Sequence, residues 1–143
     1  MLCVAMLDAL SAVPSTGGRP GPALMHLDSL LAVAPYQFGV DFGNLVLAHL
    51  YELRGDAPAA LRAVRRRPYD WDTGPLYLTT YLRAEGQLAA LTGDRAGAAR
   101  AYRRFLALRD GADPGMRGAS DSVRVALDAL DSRSTKPAPG APR

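Results

Sequence analysis

Cysteine and histidine are scarce in this chain of 143 residues, and their scarcity excludes two kinds of site. The single cysteine, Cys3, cannot form an internal disulfide, which is typical of a reducing compartment or of a protein indifferent to redox state. The two histidines, His26 and His49, lack the paired short spacing of zinc ligands, and Cys3 does not complete a set. We therefore expect no metal site and a cytoplasmic location.

Long apolar runs are also missing. No stretch of about 18 apolar residues occurs, so we expect no membrane span. Residues 1–13 are apolar, but they carry Asp8 in their middle and no basic segment before it, unlike a signal peptide. We interpret residues 1–13 as the first helix of a single domain, because 143 residues are enough chain for one hydrophobic core.

The positive net charge of +3 belongs to the end of the chain. Residues 132–143 hold Arg133, Lys136 and Arg143 and no acid, so the preceding residues carry no net charge. A neutral body gives little electrostatic attraction toward nucleic acid or anionic lipid, and we expect neither as a partner. Sixteen of the seventeen basic residues are Arg, and this composition is typical of a GC-rich bacterial genome.

A turn that occurs twice organises the rest of the sequence. The segment GDAPAAL, which begins at Gly55, recurs 38 residues later as GDRAGAA from Gly93. A glycine just past a helix adopts the left-handed conformation at little cost, and an aspartate caps the helix that follows. Each copy therefore predicts the end of one helix and the start of another, which is the pattern of a helical-hairpin repeat. Gly18 lies 37 residues before Gly55 and indicates a degenerate first copy.

Apolar spacing and helix breakers predict an all-α fold without strands. We expect Asp41 to belong to a cap before a helix that begins near Gly43, and Asp72 or Thr73 to cap a helix that begins near Pro75. The predicted domain covers residues 1–131, with hairpins at about 1–35, 43–67 and 75–109, a capping helix at 116–131, and a disordered tail at 132–143.

The spacing within these hairpins resembles the tetratricopeptide repeat. The matching positions are Leu47, Ala48, Tyr51, Gly55 and Ala60 in the second hairpin, and Leu82, Gly86, Gly93, Ala98 and Tyr102 in the third. The resemblance implies a right-handed solenoid of three hairpins and a capping helix, with small residues where paired helices cross closely. The sequence departs from the pattern at Glu85, Ala89 and Arg67, and its period is longer than that of the family.

A longer stretch resembles a second, more specific architecture. Residues 65–94 and 101–114 look like the helical-repeat region that follows the catalytic domain in some bacterial eukaryotic-like serine/threonine protein kinases. This resemblance implies a regulatory or scaffolding role beside a kinase-like domain.

An enzymatic role has little support in the residues. The triplet Asp41-Phe42-Gly43 matches the metal-binding triplet of protein kinases, but no Gly-rich loop, strand lysine or His-Arg-Asp loop precedes it. No Ser/His/Asp or Cys/His set is convincing, and no phosphate-binding glycine loop follows a strand. We therefore predict no catalytic residues, no cofactor and no enzyme activity.

Two further motifs have both a binding and a structural interpretation. The run from Arg65 to Arg67, extended by Arg103 and Arg104, is a candidate patch for an acidic partner, although solvated helix faces are the commoner explanation. Trp71 lies between two acids and is a candidate anchor for a partner, but we favour a role in filling the gap between hairpins.

The tetratricopeptide resemblance implies a concave groove formed by the first helix of each hairpin. Its candidate residues are Leu45, His49, Glu52, Leu53, Thr80, Arg83, Gln87 and Leu91. The paired Lys and Asn residues of the family's peptide-carboxylate clamp are not placed there, so a C-terminal carboxylate ligand is not supported. A mixed groove around Arg83 and His49 suits an acidic or extended segment.

These observations favour a protein–protein interaction or scaffolding module that binds a peptide or protein segment of unknown identity. The alternative is the regulatory C-terminal portion of a bacterial kinase or sensor, in which the first helix docks on a kinase-like domain. Exposed apolar residues within 1–13 would favour this alternative, whereas a buried first helix would favour a stand-alone module.

Overall fold

The chain folds entirely into helices wherever its structure is described. The computed structural model describes residues 2–12, 21–34, 38–66, 77–111 and 117–134, and these ranges contain no strand. The all-α prediction is therefore confirmed for these ranges. The helices are α1 (Leu2–Ser11), α2 (Pro22–Val33), α3 (Phe38–Leu53), α4 (Ala57–Arg65), α5 (Leu78–Leu91), α6 (Arg95–Leu108) and α7 (Arg117–Ser134).

Both copies of the repeated turn end one helix and cap the next, as the sequence predicts. Gly55 and Gly93 have φ angles of 77° and 84°, in the left-handed region that glycine enters without strain. The Asp56 carboxylate accepts a hydrogen bond from the Ala59 N–H at 2.9 Å, and Asp94 accepts one from the Gly97 N–H at the same distance. Each carboxylate thus satisfies an N–H group that the helix itself leaves free.

Each helix packs against the next one along the chain, and α1 also contacts α3. Buried side chains of α1 to α6 form one continuous core, in which Leu27, Leu47 and Leu88 are completely buried. A smaller cluster joins α5 and α6 to α7 through Leu82, Tyr102, Phe105 and Val123. Full burial of one such leucine stabilises the fold by about 1.5–3 kcal/mol.

Two helical glycines allow neighbouring helices to approach closely. A Cβ atom at Gly86 would lie 2.2 Å from the ring of Tyr102, which confirms a close crossing of α5 and α6. A Cβ atom at Gly43 would lie 2.7 Å from the Leu31 side chain on α2. Gly43 is therefore a packing position inside α3. The predicted start of that helix at Gly43 is wrong, because helical hydrogen bonding begins at Phe38 and includes the main chain of Asp41.

Two other helix boundaries differ from the prediction. Helix α5 begins at Leu78 instead of Pro75, and its first helical bond runs from the Tyr81 N–H to the Tyr77 carbonyl. Helix α7 continues through Ser134, so the first residues of the predicted disordered tail are helical.

Several predicted features lie outside the described residues. They are the degenerate turn at Gly18, the acidic aromatic segment around Trp71, the cap at Asp72 or Thr73, Arg67, and the tail from residue 135 onward.

Candidate interaction surface

The four candidate groove residues of α3 share one face of the helix. Leu45, His49, Glu52 and Leu53 are spaced by four, three and one residues, which keeps them within a single arc of the helix. His49 and Glu52 are exposed, Leu53 is 46 % exposed, and Leu45 is half-buried against the main core. This face is opposite the side that buries Leu47 and Tyr51, so it is available for contact with another molecule.

The four candidates on α5 also share a face, and all of them are exposed. Thr80, Arg83, Gln87 and Leu91 follow one another at intervals of three or four residues. Leu91 exposes 74 % of its surface. The α5 face therefore combines one cation, two neutral polar groups and one large apolar side chain.

An aromatic contact joins the beginnings of these two faces. The rings of Phe42 on α3 and Tyr77, the residue before α5, have centroids 6.4 Å apart and planes tilted by 50°. Phe42 precedes Leu45 by three residues and lies on the α3 face, and Tyr77 precedes Thr80 by three. A tilted aromatic pair at this distance is favourable beyond the area that it buries. The contact places the starts of the two candidate faces beside each other.

Phe42 is the surface residue that sequence reasoning missed. The helix was predicted to begin near Gly43, with Asp41 in a cap before it, so Phe42 lay outside the predicted helix. Its position is 38 residues before Thr80, the same period that separates the two glycine turns. That period, applied to the groove positions, would have identified it. Phe42 is 51 % exposed and adds an aromatic side chain to the α3 face.

The two repeat copies expose leucine at the same place. Leu53 and Leu91 are 38 residues apart, and each is the last residue of its helix, two positions before the glycine of the turn. Both are exposed, at 46 % and 74 %. An isolated exposed leucine needs no explanation, but a leucine exposed at equivalent positions of two copies forms a repeated apolar contact point.

Arg65 and Arg66, at the end of α4, form ion pairs within the molecule. Arg65 binds Glu85 on α5 through Nε at 3.2 Å, and it binds the α6 cap Asp94 through Nη2 at 2.5 Å. Glu85, which interrupts the apolar pattern, thus has an ionic partner and is only 12 % exposed. The hydrogen bond from Arg65 is the largest cause that lowers the pKa of Asp94, and the bond from the Gly97 N–H is the second. The hydrogen bond to Asp94 in turn raises the pKa of Arg65.

Arg66 reaches in the other direction, toward the first hairpin. Its guanidinium forms an ion pair with Asp28 on α2, and the Tyr51 hydroxyl donates a hydrogen bond to the second carboxylate oxygen at 2.5 Å. Burial, together with this bond to Asp28, raises the pKa of Tyr51. Arg65 and Arg66 therefore join helices. Both side chains stay partly exposed to solvent, as predicted, and their ion pairs weaken the case for an anion-binding patch.

Exposed apolar side chains also follow the outer side of α1. Val4, Leu7 and Leu10 are 60 %, 65 % and 44 % exposed, and Cys3 beside them is exposed as well. The inner side of the helix buries Ala5, Met6 and Ala9. This exposed apolar face is the feature that distinguishes the docking alternative from a stand-alone module.

The described part of the chain contains no cluster of three or more His, Cys, Asp or Glu residues that could hold a metal ion. Among the helices α1 to α7, none is long and apolar enough to cross a membrane.

Comparison with known proteins leaves the family open. No protein-family model, no curated protein and no solved structure gives a significant match to this chain.

Proposed function

We propose that this chain is a cytoplasmic protein–protein interaction module of the tetratricopeptide-repeat kind, without catalytic activity. In this proposal the three hairpins stack in a right-handed sense, with a degenerate first copy and with α7 as the capping helix. The packing of each helix on the next and the two Gly–Asp turns support the stack. The faces of α3 and α5 then form the floor of a concave groove that binds a peptide or protein segment.

The repeated leucine carries this proposal. Leu53 and Leu91 occupy equivalent positions at the ends of α3 and α5, and both are exposed. Leucine is also a good helix former, so exposure alone does not imply binding, but its recurrence at the end of both helices is what a groove with repeated apolar anchors would show.

The polar residues between these anchors indicate the chemistry of the ligand. Arg83 supplies a cation, and His49 and Gln87 supply hydrogen-bonding groups on the two faces. Glu52 is the acid on the α3 face. The proposed ligand is an extended segment with apolar side chains for the two leucines and an acidic residue for Arg83.

Binding measurements on an isolated partner test the groove. After capture on the wild-type chain and identification, the partner is titrated against the double variant Arg83→Ala/His49→Ala. We expect its affinity to fall by about tenfold or more, the loss of one interface hot spot. Arg124→Ala is the matched control, because Arg124 is an exposed arginine of α7 far along the chain from the groove helices. Unchanged affinity of the double variant would mean that the groove assignment is wrong.

A second candidate function has its own observation. The exposed apolar face of α1 favours the regulatory portion of a bacterial kinase or sensor, in which α1 docks on a kinase-like domain. The two candidates use different surfaces, so substitutions on α1 and on the α3 and α5 faces separate them.

A further inference from the structure

The outer face of α1 has a short apolar stripe. Val4, Leu7 and Leu10 follow one another at intervals of three residues, so they form a row that runs obliquely across about a third of the circumference of a helix of ten residues. A helix of this length is about 15 Å long. Rows of side chains at this spacing pack into the grooves of a neighbouring helix.

The helix at the other end of the chain has a different outer face. The exposed residues of α7 are mainly polar and include Asp121, Ser122, Arg124, Asp128 and Asp131, with Val125 as an apolar exception. A terminal helix of a helical stack needs such a polar face to stay soluble. The outer face of α1 has large apolar side chains, whereas the outer face of α7 has charged ones. The outer face of α1 is therefore of the kind that packs against a further helix.

The charges around the stripe restrict what can cover it. Within the described residues of α1 and α2 there is no Lys or Arg, and Asp8, next to Leu7, is exposed. The other acid of these helices, Asp28, is paired with Arg66. Anionic membranes attract helices with Lys or Arg on the polar face, so a lipid surface is disfavoured. A Lys or Arg on a protein segment that covers the stripe would pair with Asp8.

A second copy of the chain fits poorly. An antiparallel two-fold pairing centred on Leu7 would bring the two Asp8 side chains to the same side of the axis, where like charges repel.

We infer that the outer face of α1 binds a single amphipathic helix of another domain, with an apolar seam on the stripe and a Lys or Arg beside Asp8. This inference rests on the second proposed function and names the kind of element on which α1 docks. The helix adds one more layer to the packing of α1 on α2 and α3.

A designed peptide pair tests the inference with the full chain. The probe is a fluorescent amphipathic helix of about 18 residues, on the order of five turns, with a leucine seam flanked by lysines. The second peptide has glutamates in place of the lysines. Binding is measured by anisotropy at low salt, where a single charge pair is least screened. Protein variants are Leu7→Gln, Asp8→Lys and the control Val125→Gln, all at exposed positions, with folding checked by circular dichroism.

We expect the lysine peptide to bind the wild-type chain about threefold more tightly than the glutamate peptide, and Asp8→Lys to reverse this preference. Leu7→Gln should weaken binding about tenfold, whereas Val125→Gln should not change it. No binding of either peptide, or no preference between them, overturns the inference.

Two other results would overturn the inference but keep α1 as a docking helix. These are self-association of the chain that Leu7→Gln abolishes, and binding to anionic vesicles that Leu7→Gln abolishes. If Leu7→Gln changes none of these measurements, the second proposed function fails together with the inference.

Discussion

At the scale of single residues, the two copies of the Gly–Asp turn differ in how their aspartates are used. Asp56 caps α4 through Ala59, whereas Asp94 caps α6 through Gly97 and also binds Arg65. A Cβ atom at Gly97 would lie 2.2 Å from an Asp94 oxygen and 2.6 Å from the Arg65 guanidinium. The second copy thus has Gly97 at the position of Ala59 in the first copy, and only its aspartate, Asp94, also binds an arginine.

This difference predicts that Gly97→Ala destabilises the fold although alanine is the better helix former. The expected loss is about 1–2 kcal/mol in the free energy of unfolding by urea, because the added methyl group displaces Asp94 or Arg65. Gly118→Ala on α7 is the control, since a Cβ atom there meets nothing within 4 Å. That control should stabilise the chain by up to about 1 kcal/mol. A Gly97→Ala variant as stable as the control would exclude the close contact.

The lowered pKa of Asp94 predicts how stability changes with pH. A carboxyl whose folded pKa lies below its ordinary value of 3.8 stabilises the fold above that value, and the contribution disappears as pH falls through the folded pKa. Wild type should thus be more stable than Asp94→Asn at neutral pH, and the difference should shrink below about pH 4.

Thermal unfolding of both proteins between neutral pH and pH 3 measures this difference. In an Arg65→Met background the difference at neutral pH should be smaller, because Arg65 is the main cause of the shift. A difference that stays constant across this range would contradict the assignment.

At the scale of helices, the arginines at and after the end of α4 connect elements in both directions along the chain. Arg65 binds α5 and the cap of α6, and Arg66 binds α2. Arg103, which lies 38 residues after Arg65, binds Asp131 on α7 at 3.0 Å. Arg65 and Arg103 are therefore equivalent positions of the two repeat copies, and each binds an acid on a helix that follows it in the chain.

A double-mutant cycle on Arg66 and Asp28 measures one of these connections. The partners are 32 % and 26 % exposed, and the Tyr51 hydroxyl orients the carboxylate, so we expect a coupling free energy of about 1 kcal/mol. Arg124 and Asp121 on α7 form the matched control, because this pair lies within one helix and is 59 % and 65 % exposed. Its coupling should be about 0.3 kcal/mol. Equal couplings would mean that Arg66 does not connect α4 to the first hairpin.

Helix ends were predictable where a residue type has one common role in local structure. Gly55 and Gly93 enter the left-handed region and their aspartates cap, because this local chemistry hardly depends on the surroundings. Gly43 misled the prediction of α3, since a glycine inside a helix is explained only by the Leu31 side chain that packs on it. The role of Glu85 was likewise hidden, because its partner Arg65 is 20 residues away in sequence.

At the scale of the whole molecule, two surfaces remain with exposed large apolar side chains in a regular arrangement. The α3 and α5 faces carry Phe42, Leu53 and Leu91, and the outer side of α1 carries Val4, Leu7 and Leu10. Periodicity predicted all three helices, although the starts of α3 and α5 differ from the prediction. It could not show that Phe42 contacts Tyr77, because this contact depends on how the start of α5 lies beside α3.

Quantitative affinity capture from a lysate of the source organism tests the groove most directly. The measurement compares the proteins retained by the wild-type chain, by Leu91→Lys and by the control Val125→Lys, with each amount determined by mass spectrometry. Leu91 and Val125 are 74 % and 70 % exposed on different helices, so both variants should fold. We predict at least one protein that wild type and Val125→Lys retain equally and Leu91→Lys loses. An identical set of proteins on all three would contradict the account.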